Sequence, residues 1–121
     1  MTSLNKIQKQ IIIPVDKNTL HIILMCIIEH WRMPQYEEQL SPEDFSTLEQ
    51  LREKVLDLRD DRTTTELRIY EKNLGVMIRA FKIGFGELTR GGDGGEFHTI
   101  VGQEVEQGQE VLRILESYLS S

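Results

Sequence analysis

The chain has 121 residues, 39% hydrophobic and 28% charged, enough apolar material for one core and too much for a chain that stays disordered. Twenty acidic residues against fourteen basic give a formal charge of −6, which repels a phosphate backbone and argues against nucleic acid as a partner. The longest apolar run, Ile22 to Ile28, is seven residues, whereas a membrane-spanning helix needs about 20; residues 1–10 carry no apolar signal core, so a cytoplasmic protein with no membrane partner is expected.

The charge is unevenly distributed. Residues 1–28 sum to +2, 29–61 to −6, 62–92 to +3 and 93–121 to −5. The one cysteine, Cys26, lies inside the apolar run and reads as a buried thiol in a reducing compartment, behaving as a small hydrophobe.

Along the chain, Ile11-Ile12-Ile13-Pro14-Val15 is β-branched and interrupted by a proline, the pattern of an edge strand or an extended lead-in. Asp16 or Asn18 can cap a helix over 19–32. Leu20, Ile23, Leu24, Ile27, Ile28 and Trp31 follow one helical face, and Ile22, Met25 and Cys26 make the remainder apolar too, as in a helix buried at the centre of a domain or at a subunit interface. A strand competes for the isoleucine-rich centre, because periodicity alone does not separate the two in a short apolar run.

Ser41-Pro42-Glu43-Asp44 is the clearest local signal: a capping serine, a proline at the first helical position and acids in the first turn. Phe45, Leu48, Leu51, Val55 and Leu58 then recur at intervals of three and four, to about Asp60. Thr63 and Glu66 have the spacing of a capping box. They predict a second helix over 64–90, with Leu67, Tyr70, Leu74, Met77, Phe81 and Leu88 as a heptad seam interrupted at Gly84. A short connection makes these two helices antiparallel neighbours, and their opposite charges agree.

Gly91 to Gly95 has the composition of a flexible loop. Glu96 to Val101 reads as a short strand or a helix lead-in. A last helix over 103–119 places Val105, Leu112, Leu115 and Leu119 on one stripe, weakened at Gly108 by about 1 kcal/mol relative to alanine. The expected fold is mainly α: one domain spanning 1–121, a bundle of about four helices around an antiparallel helical hairpin, with room for a two-stranded ribbon pairing 11–15 with 97–101.

No catalytic, cofactor or metal site is expected. His21 and His30 fall on opposite sides of their helix, no histidine-glutamate metal motif occurs, and the glycine segment from Gly84 to Gly95 lacks the lysine and hydroxyl of a phosphate loop. The acid doublets Glu37-Glu38 and Asp60-Asp61 read as solvated helix ends. What remains is surface chemistry. Asp93, Glu96, Glu104, Glu106 and Glu110, opposed in the last quarter of the chain by Arg113 alone, offer a face for a basic partner, and Trp31-Arg32 combines two residue types enriched in binding hot spots.

The resulting expectation is a non-catalytic interaction module of the inhibitor, immunity-protein or adaptor type. The competing expectation is a homo-oligomer joined through helices 19–32 and 64–90. A small-ligand sensor using the glycine segment as a lid, or an enzyme assembling its histidines in a cleft, ranks below both.

Overall fold

A computed structural model describes residues 9–31, 40–61, 63, 65–90 and 97–119. In chain order these form β1 (Gln10–Pro14), α1 (Lys17–Trp31), α2 (Pro42–Asp60), β2 (Glu66–Tyr70), α3 (Glu71–Leu88), α4 (Phe97–Val101) and α5 (Val105–Leu119). Among the described residues the architecture is a mainly-α bundle of four long helices with a short fifth and a small antiparallel ribbon.

The apolar run after Asp16 is helical. Asp16 caps it, its carboxylate accepting from the Thr19 amide at 2.7 Å while its carbonyl accepts from Leu20 N–H at 3.0 Å. Leu20, Ile22, Ile23, Leu24, Cys26 and Ile27 are all buried. A fully buried aliphatic side chain contributes about 1.5–3 kcal/mol relative to an exposed one, so α1 is the axis of the core.

Helix α2 starts where its local signals place it. Ser41 accepts from the Asp44 amide at 3.1 Å, Pro42 opens the first turn, and Leu48, Leu51 and Val55 are buried. Its far end is held from outside: the Lys17 ammonium donates to the carbonyls of Arg59 and, at 2.6 Å, Asp61, two groups that the helix itself leaves without internal partners.

Residues 66–70 depart from expectation. They form a strand, not the first turns of a long helix, and α3 begins only at Glu71. The Thr63–Glu66 capping box does not form; Asp61 takes both the amide and the hydroxyl of Thr63, at 2.9 and 2.8 Å. The reason is pairing. β2 runs antiparallel to β1 in the register Gln10↔Tyr70, Ile12↔Arg68, Pro14↔Glu66, so Ile11, Ile13, Leu67 and Ile69 turn inward while their neighbours face solvent. The expected partner of β1, residues 97–101, is instead the short helix α4.

The ribbon ends by starting a helix. Glu71 N–H, the first amide of α3, donates to Lys9 O at 2.9 Å, and Tyr70 at the cap position makes no side-chain cap bond. The ladder thus does what a capping side chain would otherwise do.

The connection from α2 to α3 therefore contains a strand, and ion pairs join the first turn of α2 to the first half of α3. Asp44 at the start of α2 meets Arg79 and Glu43 meets Lys72, both at 3.1 Å, whereas Lys54, further along α2, donates back to the Arg68 carbonyl in β2. The expected charge match is present in these pairs, although exposed pairs contribute only about 0–1 kcal/mol each.

A close backbone approach lies elsewhere, between α1 and α3. A Cβ on residue 84 would sit 1.8 Å from the Cys26 carbonyl oxygen, so Gly84 is the position where the two backbones touch. It does not interrupt the seam; it makes the crossing. Gly108 in α5 has a related role, since a Cβ there would lie 2.5 Å from the Phe85 ring and 2.8 Å from the Phe97 ring. Those rings meet edge to face at 5.2 Å, and the buried stripe of α5 is Gly108, Val111 and Leu115, with Leu119 at the rim, 36% exposed.

The two glycines of α3 that differ in surroundings give a matched test. Gly84→Ala forces the α1–α3 crossing apart and should cost about 3 kcal/mol or more, at the upper end of overpacking penalties. Gly75→Ala, with nothing within 4 Å of the new methyl, should stabilise by about 0.5–1 kcal/mol through helix propensity. Urea unfolding of both variants measures the contrast; equal effects would show that the close approach is not a constraint.

Candidate acidic groove between α1 and α5

Of the residues expected to meet a partner, Glu104, Glu106 and Glu110 fall in the described part of the chain. Arg32, Asp93 and Glu96 lie outside it, as does the 91–95 glycine loop; Trp31 closes α1 and its side chain is likewise outside.

Two hydrogen bonds set the position of α5 against α1. Asn18 Nδ2 donates to Gln103 Oε1 at 3.2 Å, and His21 Nε2 lies 3.0 Å from the carbonyl oxygen of Val101. A carbonyl only accepts, so Nε2 carries the proton, and Nδ1 is left to accept from Arg59 Nη1 at 3.3 Å. His21 thereby ties α2, α1 and the end of α4 together. Its role is architectural, and among the described residues no group of three His, Cys, Asp or Glu side chains converges as a metal site would require.

Glu104 starts α5. Its carbonyl accepts from Gln107 N–H at 3.0 Å, and its own amide donates to Gln107 Oε1, also at 3.0 Å. This reciprocal pair does the work of a capping box. The N-termini of α1 and α5, capped by Asp16 and Glu104, are brought side by side.

Between them lies a groove of about 320 Å³ lined by Asp16, Asn18, Thr19, Ile22, Glu106, Gln107, Glu110, Val111 and Ile114. Ile22, Val111 and Ile114 provide its apolar floor, and Asp16, Glu106 and Glu110 provide three carboxylates. No lysine or arginine is among the lining residues. The acidic stretch expected from the sequence is therefore divided. Glu106 and Glu110 look into this groove, while Glu116, on another side of α5, pairs with Lys82 of α3 at 2.8 Å.

Charges within the groove are held ionised by ordinary chemistry. The Thr19 amide bonded to Asp16, with the Thr19 hydroxyl beside it, lowers the Asp16 carboxyl from its usual 3.8. Glu110 is lowered by its hydrogen bond to Arg113, one turn along on the exposed surface. Glu106 has no partner among the described residues.

Asp16 is the residue that counting charge along the chain misses, because it belongs to the N-terminal stretch of net +2. Its capping role was legible; its placement opposite Glu106 and Glu110 depends on the two tethers from Asn18 and His21. The phosphate-loop alternative also meets the structure here: Gly84 and Gly86 are helical positions of α3, so this part of the glycine segment forms no cradle.

Asp16→Ala should cost about 1 kcal/mol at neutral pH through loss of the cap. Because folding lowers the Asp16 pKa, its contribution is present above pH 3.8 and lost as pH falls through the lower folded-state value. Urea midpoints of wild type and variant should converge as pH falls below 3.8; a gap unchanged with pH would assign the effect to something other than the ionised cap.

Comparison of the chain with family models, with curated proteins and with solved structures finds no match.

Proposed function

We propose that this protein is a non-catalytic interaction module whose groove between α1 and α5 docks a basic segment of another protein. The observation that carries this reading is the groove's composition: an apolar floor, three carboxylates drawn from two elements, and no cation among its lining residues. Acids near helix N-termini also serve the helix dipole, and Asp16 does so. Glu110 lies a full turn further into α5 and faces the same groove, beyond the reach of that explanation.

An apolar floor with a charged rim suits a partner that inserts an aliphatic side chain between lysines or arginines, the floor supplying affinity and the rim supplying speed and selectivity. The chain's net charge of −6 favours such partners at long range and disfavours nucleic acid. The buried thiol of Cys26 suits a reducing cytoplasm, and among the described residues no helix is long and apolar enough to cross a membrane.

A fluorescent helix-forming peptide of leucines and lysines serves as the probe, read by anisotropy. Binding should weaken at least about tenfold between about 50 and about 500 mM salt. Glu106→Lys with Glu110→Lys should abolish it, while Glu53→Lys with Asp57→Lys, the same charge change on the exposed face of α2, should leave most of it intact. Equal loss in both double variants would reduce the interaction to net charge and remove the groove from the account.

A further inference from the structure

The ribbon has two edges, and they are treated differently. Val15 N–H donates to Thr65 O, and Glu71 N–H to Lys9 O, so the odd-numbered residues of β1 face β2 and the even-numbered ones direct their backbone groups outward. On β2 the outward carbonyl of Arg68 is taken by Lys54 from α2. On β1 the outward amides of Gln10 and Ile12 and the carbonyls of Gln10, Ile12 and Pro14 have no partner among the described residues. Ile12 is also 46% exposed, and no charged side chain lies between Lys9 and Asp16. Charges, bulges and covering elements are the usual guards of an open edge; here Pro14 alone stands guard.

We propose that this edge is covered by a second copy of the chain, β1 pairing antiparallel with β1 across a twofold axis at Ile12. Three features select that occupant. Centred on Ile12, the pairing makes four hydrogen bonds: each Ile12 amide donates to the partner's Ile12 carbonyl, and each Gln10 amide donates to the partner's Pro14 carbonyl. The missing proline N–H leaves only the Gln10 carbonyl unmatched. The exposed isoleucines stand directly opposite each other on the outer face, the arrangement that stabilises cross-strand pairs. The strand ends also differ in charge: antiparallel pairing sets Lys9 opposite the partner's Val15, so that the basic end of each strand lies by the end that leads into Asp16, whereas a parallel pairing sets like ends together. The helices offer no comparable surface, since the apolar residues of α1 are consumed within the monomer core.

So short a seam is smaller than a standard interface, and a weak dimer follows. Sedimentation velocity across about 10–1,000 μM should show a reversible monomer–dimer shift. Ile12→Lys, at an exposed position, should move its midpoint at least tenfold upward. As a second measurement, Ile12→Cys should form an intermolecular disulfide on mild oxidation, because directly opposed residues of a hydrogen-bonded pair lie about 5.5 Å apart at Cα, within disulfide range. Glu66→Cys, also exposed but one strand further from the axis, should not, and the buried Cys26 stays silent. A wild-type chain that is monomeric throughout, or a dimer indifferent to Ile12→Lys and without the disulfide, overturns the proposal. So does protection of the Gln10 and Ile12 amides from exchange that is independent of concentration, which would give the edge to an occupant within the same chain.

Discussion

The fold depends on the contact of two backbones. Where α1 crosses α3, the Cys26 carbonyl occupies the space a side chain on residue 84 would fill, and only glycine allows it. Close approach lets the apolar surface of α1 bury against α3 on one side and α2 on the other, with Leu74, Met77 and Phe81 of α3 fully enclosed. A helix that is apolar on nearly every side needs neighbours on nearly every side. The glycine supplies the nearest of them.

The second layer of the fold serves α1 in the same way. The ribbon turns Ile11, Ile13, Leu67 and Ile69 into the core and passes directly into α3 through the Glu71–Lys9 hydrogen bond. On the other flank, Phe81, Phe85 and Phe97 form a contiguous aromatic group over which α5 can lie only because Gly108 has no side chain. Helix propensity alone treats Gly108 as a weak point. Packing makes it the position that admits α5.

The surface follows from this packing. Lys17, Asn18 and His21, all near the start of α1, bind respectively the end of α2, Gln103 two residues before α5, and the end of α4. One helix terminus thus gathers three other segments, and the acidic groove is the space left between its cap and that of α5. Chemistry and architecture share residues here: Asp16 is at once the cap that starts the helix and part of the groove's rim.

Local signals were readable in the chain itself. Ser41-Pro42-Glu43-Asp44 marks the start of α2 because a cap, a fixed φ and first-turn acids act within four residues, and the stripe from Leu48 to Val55 needs only its own helical period. The burial of Cys26 and the helical class of the bundle come from composition and periodicity in the same way. The strand at 66–70 was not readable as such, because Glu-Leu-Arg-Ile-Tyr alternates for only five residues and also fits a heptad; the distant β1, with backbone groups in need of pairing, decides between them. Gly84 and Gly108 likewise acquire their meaning from Cys26 and the phenylalanine rings, and Asp16 joins Glu106 and Glu110 only through tethers at Asn18 and His21. Sequence by itself determined what hydrogen bonds and apolar periods can settle within a few turns; tertiary structure decided whatever requires knowing which distant surface is the neighbour.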